Sequence, residues 1–172
     1  MCRILVVGCP GNGKTTFSKA LAKQLDIPLI HLDKLFWKSG WQEKSKEEFD
    51  AELLEILKTN KWIIDGNYSR TLPLRLERAE IVYFMDYPTR ICLWRVLKRV
   101  ITRHGETRSD MGENCPERFD MEFMKYVWNF RKTQRPKLMQ MLKQSDVKNI
   151  YIIQNDRQLE RELRMMVRPL WI

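Results

Sequence analysis

The sequence predicts an α/β fold, a parallel sheet with helices packed on both faces. Three observations predict it. Five short apolar, β-branched-rich runs recur along the chain, and stretches with helical spacing separate them. The runs are also nearly continuous in hydrophobicity rather than alternating, as strands covered on both faces must be.

Taken in order, the first run is RILVVG (3–8), followed by Phe17, Leu21 and Leu25 at a spacing of four. PLIHLD (28–33) is the second. SKEEFDAELLEILKT (45–59) then opens with Ser45 and Glu48 in a capping-box pattern and carries Phe49, Leu53, Leu54 and Leu57 on one face. KWIIDG (61–66) and IVYFMD (81–86) are the third and fourth runs. The stretch 88–103 has Pro88 at its start, a favoured first-turn position. The stretch 115–134 repeats the device with Pro116, and Pro136 is expected to end or kink that helix. NIYIIQ (149–154) and a helix over roughly 156–167 complete the pattern.

Composition limits the function classes. The chain has 172 residues, 44% hydrophobic and 31% charged, and reads as one domain, 1–172, able to bury a core. No apolar run approaches the roughly 20 residues of a membrane span, so no membrane partner is expected. MCRILVVG enters a strand pattern without a small-residue cleavage site, which makes the cytoplasm the expected compartment. Cys2, Cys9, Cys92 and Cys115 are scattered and form no CxxC pair, which argues for reduced thiols over a disulfide framework or structural zinc.

The net charge of +9 is concentrated at Arg90, Arg95, Lys98, Arg99, Arg103 and Arg108, with RKTQRPK (131–137) as a second cluster. Such density suggests a polyanionic partner, whether nucleotide phosphates, nucleic acid or another phosphorylated ligand; a solvated basic helix face is the alternative.

Gly8-Cys9-Pro10-Gly11-Asn12-Gly13-Lys14-Thr15 matches G-x-x-x-x-G-K-[ST], the Walker A P-loop, between a strand and a helix. Polyphosphate has to be surrounded by backbone N–H donors, and glycines let the main chain come close enough. A helix starting near Lys14 aims its N-terminus at the phosphates. The expected nucleotide-phosphate site is therefore Gly8, Gly11, Asn12, Gly13, Lys14, Thr15 and Thr16, with ATP as ligand. Lys14 reaches the β- and γ-phosphates, and the Thr15 hydroxyl ligates Mg²⁺. Cys9 is either a small packing residue or a thiol made sensitive by the helix N-terminus.

Two further runs end in carboxylates, Asp33 and Asp65, at the strand ends where parallel sheets bind ligands. Asp33 reads as an acceptor-binding residue and general base, or as a helix N-cap. His31 orients Asp33 or packs in the core, and Asp65 is expected to hold Mg²⁺ through water and to stand with Asp33 among the acceptor-binding residues. Trp37, with Phe36 and Trp41, grips an acceptor ring or forms the apolar face of a flap. Phe119, Phe123, Tyr126 and Phe130 fall at helical spacing and read as core. Arg95 and Arg99 share a helix face. The polar segment RHGETRSDMGENCPE (103–117) has the composition of a lid, expected at about 100–118. Arg99 and Arg108 are the expected neutralisers of the transferring phosphoryl, and Arg95 and Arg99 join the P-loop residues in the expected nucleotide-phosphate site.

At LIHLDKLFW, WIIDGNYSRTLPLRLERA, CLWRVLKR and TRSDM…CPE the chain resembles the adenylate-kinase-related P-loop kinases, most closely the topology-modulation (FlaR-type) branch. The resemblance implies a three-layer P-loop NTPase fold, with five parallel strands ordered 2-3-1-4-5, a short helical lid, and ATP and Mg²⁺ as ligands. Adenylate kinase itself carries D-G-F-P-R at the acceptor site, where this chain has Asp65-Gly66-Asn67-Tyr68-Ser69-Arg70, placing Arg70 as an acceptor residue one position later. It also pairs aspartates beside the lid, a pattern absent here.

The expected function is an ATP- and Mg²⁺-dependent kinase of a small nucleoside- or nucleotide-like acceptor. Two alternatives stand beside it: a nucleic-acid-associated, ATP-binding regulator of DNA topology, and an acceptor-independent NTPase. The sequence shows no helix-turn-helix, zinc-finger or RNA-recognition signature. Its last residues, RPLWI, carry apolar groups that need a packing partner.

Overall fold

The computed structural model describes residues 2–167; RPLWI lies outside them. The chain runs β1 (Cys2–Gly8), α1 (Lys14–Leu25), β2 (Leu29–His31), α2 (Leu32–Phe36), β3 (Trp37–Lys38), β4 (Gln42–Glu43), α3 (Lys46–Lys58) and β5 (Lys61–Asp65). A 3-10 turn (Ser69–Thr71) leads into α4 (Leu72–Arg78), β6 (Ile81–Met85), α5 (Thr89–Thr102), α6 (Met121–Gln144), β7 (Asn149–Ile153) and α7 (Asp156–Val167).

The main sheet is five-stranded and parallel, in the order β2-β5-β1-β6-β7. The five apolar runs of the sequence thus stand second, third, first, fourth, fifth. The labels are displaced because β3 and β4 form a separate antiparallel hairpin that the hydrophobic pattern did not announce. Alternate side chains of β1 divide between two cores. Ile4 and Val6 face Phe17 and Leu21 of α1 and Val96 of α5, while Leu5 and Val7 face Phe49 and Leu53 of α3 and Leu76 of α4. This two-sided burial is the physical cause of the continuous apolar strands.

Helix ends follow local chemistry. Ser45 and Glu48 form the capping box of α3, although Leu54 on that helix faces solvent. Helix α6 starts later than Pro116 suggested. Asp120 is its N-cap, accepting from the backbone N–H groups of Glu122 and Phe123, and Pro116 instead bridges to Thr107. Pro136 does not end the helix. Val127 and Phe130 before it are buried in one core and Leu138 and Leu142 after it in the other, so anchors on both sides outweigh the lost backbone bond. The α5–α6 connection (103–120) is irregular, with the Thr107–Pro116 bridge as its ladder contact, so the expected helical lid is not helical.

That connection is fastened to the β3–β4 hairpin. The Cys115 sulfur accepts from the Trp41 N–H at 3.3 Å and donates to the Lys38 carbonyl at 3.5 Å. The Gly40 N–H donates to the Glu113 carbonyl at 3.2 Å. Gly112 packs so closely on the Trp37 carbonyl that a Cβ there would collide with it. Among the described residues no helix is long and apolar enough to cross a membrane.

Candidate active site

A cleft of about 1250 Å³ opens at the carboxyl ends of the strands. Its phosphate-loop end is shaped mainly by backbone. Gly13 is the N-cap of α1 at φ +91°, and a Cβ on it would meet little but the tip of Arg95. Gly8 and Gly11 are required for a different reason. A Cβ on Gly8 would collide with the Met85 carbonyl, and one on Gly11 with the Cys92 carbonyl, so the loop is pressed against β6 and α5. The buried Asn12 side chain donates to the Met85 carbonyl at 2.7 Å, anchoring the loop rather than facing the cleft with its amide. Asn67 clamps the loop from the other side, accepting from the Gly8 N–H at 2.9 Å and donating to the Gly8 carbonyl at 2.8 Å.

Lys14 folds back over the loop, its Nζ 3.0 Å from the carbonyls of Gly8 and Cys9. Thr15 and Thr16 occupy the first turn of α1 and line the cleft. Cys9 is the packing residue. Its contact with the Cys92 sulfur, and then burial, push its thiol well above the ordinary range, opposite to the activation that a helix N-terminus suggests.

Thr15 begins a polar chain that crosses the cleft. Its Oγ1 lies 3.0 Å from Oδ2 of Asp65 and 3.0 Å from Oδ2 of Asp110, which the α5–α6 connection carries. His31 Nδ1 is 3.1 Å from the same Asp65 oxygen, so His31 orients Asp65, not Asp33. Arg108 is 3.4 Å from Asp110 and 3.3 Å from Glu117, and the buried Glu117 accepts from Arg99 Nε at 2.9 Å. Burial pushes the Asp110 carboxyl upward, but Arg108 and the Thr15 hydroxyl outweigh it and hold the pKa below its usual value. Burial and the neighbouring Arg108 lower that of Arg99.

One hydroxyl proton cannot serve two carboxylates. The oxygen trio of Thr15, Asp65 and Asp110 therefore fits a small hard cation, which would relieve the repulsion between the acids. Among the described residues no three His, Cys, Asp or Glu converge on a closed metal cage. Mg²⁺ suits such an open set, since it keeps most of its waters and takes few protein ligands.

The other end of the cleft is made of side chains. Asp33 sits in the first turn of α2, one residue past Leu32, and accepts from the Tyr68 hydroxyl at 3.0 Å. It is neither a strand residue nor the N-cap, a position taken by His31. Burial, partly offset by the Tyr68 bond, raises its pKa, and Asp65 adds to the rise. Phe123, Tyr126 and Phe130 line this cleft instead of filling the core alone, and Phe119 is exposed.

Two expected acceptor residues lie elsewhere. Trp37 packs edge-on against Phe36 and Trp41 and supports the hairpin and the α5–α6 connection, outside the cleft lining. Arg70 points outward and makes a bidentate pair with Asp50, 2.7 Å in each arm. Its place inside is taken by the fully buried Arg75, which donates to the carbonyls of Gly66, Asn67, Tyr68 and Thr71. Burial pulls Arg75 down to about 9, and it stays a cation at neutral pH.

Arg95 lines the α5–α7 end of the cleft. It is paired with Asp156 at 2.7 Å and lies over the Tyr87 ring, whose hydroxyl also donates to Asp156. The sequence reading missed Asn67, Tyr68, Arg75, Asp110 and Glu117. Asp110 had a signal, an acid two residues after an arginine in the glycine-containing polar segment; Arg75 and Glu117 had none.

The family model described as an AAA domain matches residues 4–125, and the chain belongs to that family. It is 26% identical over 118 residues to a Pyrococcus abyssi protein whose name marks it as a candidate adenylate kinase, covering 64% of this chain and 60% of that one. It is 28% identical over 142 residues to the L-seryl-tRNA(Sec) kinase of Methanococcus maripaludis, covering 73% and 55%. The chain thus spans less than two thirds of the length of these relatives. A solved shikimate kinase from Acinetobacter baumannii, in complex with shikimate, superposes with a TM-score of 0.62 at 15% identity, over 100% of this chain and 97% of that one. That likeness shows a shared fold.

Proposed function

We propose that the chain is an ATP- and Mg²⁺-dependent kinase that transfers the γ-phosphoryl group to the hydroxyl of a small nucleoside- or nucleotide-like acceptor. The names of its relatives support a kinase. The observation that carries the reading is the Thr15–Asp65–Asp110 oxygen trio at the mouth of the P-loop, in one cleft with Asp33.

Gly8 to Thr16 cradle the phosphates, and Lys14 leaves its carbonyl partners for the β- and γ-phosphates. Thr15, Asp65 and Asp110 would hold Mg²⁺, which would neutralise phosphate charge when bound. Arg99 and Arg108, fixed by Glu117, face the charge that develops on the transferring group, and Arg95 supports the nucleotide. Asp33 takes the acceptor's proton. We assign residues 103–120 to the lid and all of 1–172 to one domain working in the cytoplasm. Within the family we place it nearest the topology-modulation (FlaR-type) branch, on the motifs quoted above. The placement of Arg95, Arg99 and Arg108 around the cleft, held there by Asp156 and Glu117, supports a kinase over a nucleic-acid regulator.

ADP release with Mg²⁺, measured across nucleosides, nucleotides and small hydroxyl compounds, tests the assignment. Stimulation by an acceptor, lost in Lys14→Ala, is the expected result. Hydrolysis that ignores every acceptor refutes it and leaves a plain NTPase.

A further inference from the structure

We propose that the acceptor is electrically neutral: a hydroxyl-bearing compound with a planar ring, of the nucleoside class, with phosphate esters such as nucleoside monophosphates rejected. The inference rests on the kinase reading and sharpens it. Its basis is where the cations around the acceptor end have gone.

A phosphate ester bound beside Asp33 needs guanidinium or ammonium groups to offset its charge. Of the arginines on the segments that build this end, Arg78 and Arg131 are exposed outside the cleft lining, and the other three are committed. Arg70 is turned outward onto Asp50, Arg75 is buried among backbone carbonyls, and Arg135 is clamped to Asp86 at 2.7 Å. Lys137 lies on the exposed rim of α6, and the two cations whose charge reaches Asp33, Lys14 and Arg108, are held by the Gly8 and Cys9 carbonyls and by Asp110 and Glu117. Arg99 and Arg108 belong to the transfer point, where Glu117 and Asp110 already pair with them.

The negative charge runs the other way. Asp33 lines the cleft here, and a phosphate placed against it meets like charge in a partly dehydrated space. The chemistry agrees. A phosphate acceptor is already ionised at neutral pH and has no need of a base, whereas an alcohol keeps its proton until a base removes it. Asp33, aligned by the Tyr68 hydroxyl, is placed to remove one.

The rest of the lining suits an uncharged ring. Phe123 and Tyr126 lie nearly parallel at 6.4 Å, Phe130 meets Tyr126 edge-on at 5.8 Å, and Leu72 and Leu138 complete an apolar wall. Such surfaces stack flat rings without requiring charge. In the transfer, the acceptor oxygen bonds to the γ-phosphorus and the bond to the β,γ-bridging oxygen breaks. ADP leaves with that electron pair, and the hydroxyl proton passes to Asp33 and then to water.

The test uses the full chain with Mg-ATP and matched pairs: adenosine, guanosine, cytidine, uridine and thymidine, each against its 5′-monophosphate, with products identified by mass spectrometry. We expect at least one nucleoside to be phosphorylated with kcat/KM at least a hundredfold above its own monophosphate. Equilibrium binding with a non-hydrolysable ATP analogue gives a second readout. Asp33→Asn is expected to tighten monophosphate binding at least tenfold while transfer to the nucleoside falls. Conversion of a monophosphate to a diphosphate at equal or better efficiency overturns the neutral acceptor and leaves the kinase standing. ATP hydrolysis with no phosphorylated product from either set overturns the kinase reading, and the acceptor with it.

Discussion

At one end of the cleft, main-chain atoms of Gly8 and Gly11 are pressed against the carbonyls of Met85 and Cys92, and Gly8 is gripped by Asn67; at the other, Asp33 and Tyr68 arrive from distant segments and meet through their side chains, with Tyr126 of a third segment also in the lining. The first arrangement has almost no freedom, since adding a single carbon at Gly8 or Gly11 produces a collision. The second can be re-lined one side chain at a time without disturbing the sheet. On the kinase reading proposed above, phosphate handling is built into backbone shape and acceptor choice into exchangeable groups. Such a division would let one fold keep ATP and change what it phosphorylates.

Substitutions at the two ends sharpen this contrast or break it. The largest effect is expected from Lys14→Ala, about 10³-fold on turnover, near 4 kcal/mol of transition-state stabilisation. Steady-state kinetics with saturating Mg-ATP checks it, and a loss below tenfold would move the chemistry away from the loop. Arg75→Ala comes next and acts on stability. It strands buried carbonyls of the segment 66–71, costing about 3 kcal/mol, or about 6–12 °C in Tm by calorimetry.

Asp33→Asn is expected to lower kcat about 10²-fold and to remove the acid limb of the pH–rate profile. The sign follows from the raised pKa. The base must be deprotonated, so wild-type activity falls as pH drops through a value above the ordinary carboxylate range. A limb at an ordinary carboxylate value, or one that survives the substitution, assigns it to another group. Arg70→Ala is the smallest, within about 0.5 kcal/mol and without effect on KM, because its pair with Asp50 is a surface one. A large KM increase there would return Arg70 to the acceptor site and undo the contrast.

Legibility in the sequence follows the same division. The P-loop and its flanking strand and helix were readable because backbone geometry of that kind is set by neighbours in the chain. The parallel sheet was readable because two-sided burial leaves unbroken apolar runs. Asp33 and Asp65 were visible as acids at the ends of such runs. The partners that complete them come from far away: Asp110 is 95 positions from Thr15, and Asn67 is 59 from Gly8. Arg70 and Arg75 show the limit most directly. Both lie in the same basic stretch, and only the tertiary position of Asp50 and of the 66–71 carbonyls decides which one faces inward. Pro136 stays inside α6 for a related reason: its local cost is visible in the sequence, and the two cores that hold the helix on either side are not.

The fastening of the α5–α6 connection to the β3–β4 hairpin has one more consequence. Asp110 rides on that connection, and the hairpin follows directly from the short helix that carries Asp33. The two segments are tied to each other through Cys115, Gly112 and the Gly40–Glu113 bond. In mechanical terms the two ends of the cleft share one linkage. On the kinase reading proposed above, that linkage would join the ion-facing aspartate to the proton-accepting one.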